Sequence, residues 1–98
     1  MKLKIEKIKI KDTLQFIRRC GYGYLRGRNG VKDSFVKRLH KELYPRFHLY
    51  IEDDGNKWSF NLHLDQKAPI YKGTTAHSGD YEGPVVEREM ERIKSFLV

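Results

Sequence analysis

Residues 46–65 read "RFHLYIEDDGNKWSFNLHLD". Two runs that alternate apolar and polar residues, 46–53 and 57–65, flank the turn signal DDGN. This pattern predicts a β-hairpin. Folding it symmetrically about Asp54-Gly55 sets Phe47 against Leu62, Leu49 against Phe60 and Ile51 against Trp58. Every pair is apolar, so the hairpin has one core face and burial specifies which side is which. The same pairing turns Arg46, His48, Tyr50, Ser59, Asn61, His63 and Asp65 to the other face, with Arg46 opposite His63 and His48 opposite Asn61.

Beyond the hairpin, residues 66–83, "QKAPIYKGTTAHSGDYEG", read as a long loop, a length that in so small a domain points to function or motion. Gly83, Pro84 and Glu87 then open a helix, and Val86, Met90, Ile93 and Leu97 give it an apolar stripe. Its other faces alternate charge, as a solvated, salt-bridged surface does. Upstream, "KLKIEKIKI" (2–10) reads as a strand with a bulge at Glu6-Lys7, and its lysines suit a sheet edge. Asp12 can cap a short helix over 13–20, with Leu14, Ile17 and Cys20 as its apolar side and Gly21 as its stop. "GYGYLRGRNG" (21–30) reads as a short strand carrying Tyr22, Tyr24, Arg26 and Arg28 on one side, ending in an Asn29-Gly30 turn. Residues 31–44 admit two readings. Phe35, Leu39 and Leu43 form a helical stripe, the reading favoured here; "SFVKRLH" also works as the return strand of a hairpin turning at Asn29-Gly30.

The sum is one domain over 1–98: an α+β fold, a small antiparallel sheet with helices packed on one face and an amphipathic helix at the C-terminal end. With 31–44 read as strand, residues 13–98 become α-β-β-β-β-α. That approaches the α-β-β-β-α order of double-stranded-RNA-binding domains and of the small HicA-type toxins. The run "LQFIRRCGYGYLRGRNG" (14–30) resembles the opening of a HicA toxin, with its short helix, glycine, aromatic, strand and basic glycine turn. The resemblance covers fewer than twenty residues. The histidine those toxins carry just after the glycine turn is missing here, so the resemblance bears on the fold alone.

A hydrophobic fraction of 39% with 12% aromatics supports a folded chain in spite of 34% charged residues. No apolar run is long enough to cross a bilayer, and the first twelve residues lack the apolar core of a signal peptide, so no membrane partner and a cytoplasmic location are expected. The lone Cys20 reads as a buried, inert thiol. The net charge of +7 is uneven: residues 1–50 hold 14 Lys/Arg against 4 Asp/Glu, and residues 51–98 hold 6 against 9. A basic half of this kind suits a polyanion, above all a phosphate backbone.

Two sets of residues can carry function. Arg18, Arg19, Arg26, Arg28, Lys37 and Arg38 interleave with Tyr22 and Tyr24, and Arg46 and His48 add to them from the hairpin. Arginines fork onto phosphates and tyrosines stack on bases, so this set predicts nucleic-acid binding, RNA before DNA. The second set is His63 and Asp65 on one strand face, with His77 and Asp80 in the following loop. Should they converge, they suit acid–base catalysis or a mixed N/O metal site, and hence phosphodiester hydrolysis. Their spacing fits no tight ligand motif, so no cofactor is specified. A third reading is an adaptor whose basic face binds an acidic protein.

Overall fold

The computed structural model describes residues 1–66, the backbone of Gly79–Asp80 and residues 82–97. The elements are β1 (Lys2–Glu6), α1 (Thr13–Arg19), β2 (Gly23–Leu25), β3 (Ser34–Arg38), β4 (Arg46–Asp54), β5 (Lys57–Asp65), β6 (Gly79–Asp80) and α2 (Pro84–Lys94). Five antiparallel strands lie in the order β1-β5-β4-β3-β2, and the two-residue β6 adds to β5. The fold is α+β, as the sequence predicts. Both helices pack on one face of the sheet, where Phe16, Ile17, Val86, Met90 and Ile93 meet Phe47, Leu49, Phe60 and Leu62. Among the described residues, no helix is long and apolar enough to cross a membrane.

The hairpin forms over the predicted residues and with the predicted core face, but its register is shifted by two. Phe47 faces Leu64, Leu49 faces Leu62 and Ile51 faces Phe60. The reason is the turn. Strand pairing runs to Asp54–Lys57, leaving Gly55-Asn56 as a two-residue loop. Gly55, its first residue, has φ +68°, the left-handed value that glycine adopts cheaply at that position of a tight hairpin. A slip of two preserves the faces, so burial alone cannot detect it. Its consequence lies on the opposite face: Arg46 now stands across from Asp65, and His48 across from His63.

Residues 34–38 form a strand, not the favoured helix. Asn29 and Gly30 take φ +53° and +81°, as a tight turn with two left-handed residues requires, and the chain returns beside β2. β3 then pairs on both sides, with Phe35 between Tyr24 and Leu49. A helix there would leave β4 with an unpaired edge, and Leu43 of the supposed stripe is exposed.

At the N-terminal end, β1 pairs with β5 at the sheet edge as far as Glu6, and Lys7–Lys9 then make a 3₁₀ turn instead of a bulged strand. That turn throws Ile8 into solvent and returns Ile10 to the core. In α1, Asp12 accepts the amide of Gln15 as predicted, and Gly21 with φ +97° follows its end. The buried side of α1 is Phe16, Ile17 and Cys20; Leu14 is exposed.

Candidate functional site

Two regions gather the residues singled out from the sequence. The first is a groove of about 740 Å³ between α1 and the β2–β3 end of the sheet. Its lining includes Leu14 and Arg18 from α1, Tyr24, Phe35, Ile51 and Trp58. The rings of Tyr24 and Phe35 meet edge to face at 6.0 Å. Tyr24 is 55% exposed, and its hydroxyl donates to Asp33, which also accepts the Gly27 amide. Those two bonds hold the Asp33 carboxyl below the usual carboxylate range. Gly27 is required here: a Cβ would sit 1.9 Å from the Val31 carbonyl oxygen. The exposed Arg19 follows Arg18 at the end of α1, and the stem of Lys37 passes over Gly21.

Tyr22 and Tyr24 do share a side, but it is the helix-covered one. Tyr24 projects past that cover. Tyr22 is 4% exposed, and its hydroxyl donates to the buried Glu89 at 2.6 Å. Tyr22 is therefore a core residue rather than an exposed stacking platform. Arg26 and Arg28 are exposed on the β2–β3 loop. Arg38 and Arg46 stand opposite each other on the far face of the sheet, away from the groove.

The second region lies on that far face, at the other end of the hairpin. The Asp65 carboxylate is bonded by two imidazoles: His48 Nδ1 lies 2.9 Å from Oδ2 and His63 Nε2 lies 2.8 Å from Oδ1. Arg46 Nε donates to Oδ2 at 3.2 Å, and its guanidinium lies over the Tyr44 ring. The rings of His48 and His63 are 4.9 Å apart, and Tyr50 stacks on His48 at 4.7 Å. Ser34 Oγ, buried at the start of β3, lies 2.7 Å from His48 Nε2. Burial alone would raise the Asp65 carboxyl, but the hydrogen bonds and charge of His48 and His63 outweigh it and hold the group well below the carboxylate range.

His63 and Asp65, which the alternation sets on one strand face, are in contact there, and their described partner is His48, a residue the sequence groups with the nucleic-acid set. The symmetric hairpin register hid this, and the helical reading of 31–44 hid Ser34. His77 lies outside the described residues, and of Asp80 only the backbone, opposite Leu64, is described.

No family model, curated protein or solved structure matches this chain.

What each region can do follows from its chemistry. The groove offers aromatic faces beside a guanidinium, a combination suited to flat, anionic ligands. The cluster offers two imidazoles locked by one carboxylate, suited to proton transfer or to holding a cation.

Proposed function

We propose that this chain binds single-stranded nucleic acid, RNA before DNA, in the groove between α1 and the β2–β3 end of the sheet. The observation that carries the reading is the exposed Tyr24 ring, braced against Phe35 in a groove lined by Arg18. A base stacks on an aromatic face whatever its identity, and an arginine at the rim takes the phosphate that follows. Arg19, Lys37, Arg26 and Arg28 extend the positive field along the strand's path. RNA is preferred because it carries a 2′-hydroxyl, for which the Asp33 carboxylate at the groove wall keeps acceptor capacity beyond its bonds to Tyr24 and Gly27.

The test is fluorescence anisotropy of a labelled single-stranded RNA over a range of salt. Tyr24→Ala should weaken binding by about 1–3 kcal/mol, roughly 5- to 150-fold. Arg18→Ala should weaken it and flatten the salt dependence by ~0.7 in log–log slope. Affinity that ignores both substitutions places the RNA elsewhere. An absence of binding at low salt, together with capture of acidic proteins from nuclease-treated lysate, supports the adaptor reading instead.

A second reading, phosphodiester hydrolysis, is favoured by the grip of two imidazoles on Asp65. His63, oriented by that carboxylate, would be the proton-transfer group. The cluster and the groove lie on opposite faces, so a strand bound in the groove must round the sheet edge to reach it. Binding is therefore the primary reading. The same RNA, run on a gel after incubation, tests the second: cleavage that His63→Ala removes supports it, and an intact strand refutes it.

A further inference from the structure

We propose that His48, His63 and Asp65 form a binding site for one borderline divalent cation, Zn²⁺ in the first instance. This site is independent of what the groove binds. Ligand atoms from the three residues all lie within 4.8 Å of one another. A point within roughly 2.8 Å of all three therefore exists, and zinc bonds to N and O run about 2.0–2.2 Å, so closure needs less than an ångström of movement per ligand. Two imidazoles and a carboxylate are the donor set that such ions prefer; Mg²⁺ and Ca²⁺ prefer oxygen alone.

The surroundings favour this reading over a chance meeting of polar groups. The three side chains are 11–18% exposed, so they are largely withdrawn from water yet reachable by an ion. They project from adjacent strands whose register fixes them in place. Ser34 supplies the outer support that metal-bound imidazoles characteristically have. While His48 Nδ1–H donates to Asp65, Ser34 donates to Nε2. When Nδ1 gives its lone pair to a metal, the proton resides on Nε2 and Ser34 accepts it. A hydroxyl can do both, so the site switches between states without leaving a buried polar atom unpaired. Three protein ligands leave a coordination position open, as in sites that present a bound water or substrate. Arg46 competes for Asp65, so the affinity should fall below that of a closed four-ligand site.

The experiment is titration of the chelator-treated protein with Co²⁺, followed by displacement with Zn²⁺. The expected result is a visible absorption band several-fold stronger than that of the aqueous ion, saturating at one equivalent and erased by Zn²⁺. Asp65→Asn and His63→Ala should each weaken binding more than tenfold, and Ser34→Ala about tenfold. Circular dichroism checks that each variant is folded. Should a variant fail to fold, imidazole NMR of the unaltered protein decides: Zn²⁺ should move the ring signals of His48 and His63 and leave those of His40 in place. A missing band, a band that survives Asp65→Asn and His63→Ala, unmoved His48 and His63 signals, or equal stabilisation by Mg²⁺ would each overturn the proposal.

Discussion

Glu89 is the residue on which the helix side of the molecule closes. It sits in α2 among charged neighbours, and the sequence pattern assigns it to a solvated face. It is nonetheless 6% exposed. Arg92 grips both carboxylate oxygens at 2.7 and 2.9 Å, the Tyr22 hydroxyl donates at 2.6 Å, and Arg92 continues to the Cys20 carbonyl. This chain of bonds ties α2 to the end of α1, and it satisfies each buried group it uses. Removing its centre leaves a buried hydroxyl and a guanidinium without their acceptor. Glu89→Ala should therefore cost roughly 2–3 kcal/mol in urea denaturation, and Tyr22→Phe, which spares the Arg92 pair, about 1. The same neighbourhood predicts an alkaline limit. Burial pushes the Cys20 thiol up to about 11, and burial together with the Glu89 hydrogen bond raises the Tyr22 phenol. Both groups are neutral when folded and ionise earlier when unfolded. Between about pH 9 and 11 the unfolded chain thus binds fewer protons, and stability falls as pH rises. The urea midpoint should decline across that window, less steeply in Cys20→Ala. A flat profile would mean that these groups are more hydrated than their burial indicates.

The β4–β5 hairpin marks how far a sequence can be read at the level of the element. Alternation placed both strands to within a residue and chose the right face for every side chain, because burial acts with a period of two. It could not choose between registers two residues apart, and the pairing of His48 with His63 depends on that choice. Turn chemistry decides it: Gly55 supplies the positive φ, and Asp54 can then remain in the strand. For β3, a three-residue apolar stripe suggested a helix, and pairing with β2 and β4 overrode it. That information lies in distant strands rather than in residues 31–44 themselves. The Asp12 cap and the Asn29-Gly30 turn were legible because their causes are local. The space around Gly55 is open, so a substitution there pays only in backbone strain. Gly55→Val should destabilise the fold by about 1–2 kcal/mol. An unchanged melt would show that the loop tolerates another conformation, and with it another register.

At the scale of the whole molecule, the sheet separates two chemistries. One face meets the helices and, beyond their cover, leaves the groove with Tyr24, Phe35 and Arg18. The other carries Arg46, His48, His63 and Asp65. The basic half of the chain was legible as a field, but not its division between the faces: Arg18 lines the groove, whereas Arg38 and Arg46 stand behind it. The nucleic-acid reading thus rests on the groove, and the chain's single tryptophan lines it. Trp58 is anchored by its indole N–H to the Ile10 carbonyl and covered on one side by Lys7, so its emission reports on what enters from the groove. The most direct test is to follow that emission while single-stranded oligouridylate is added at low salt, then to raise the salt. Saturable quenching that added salt reverses is the predicted result. Emission that stays constant while anisotropy reports binding would contradict the groove as the nucleic-acid interface.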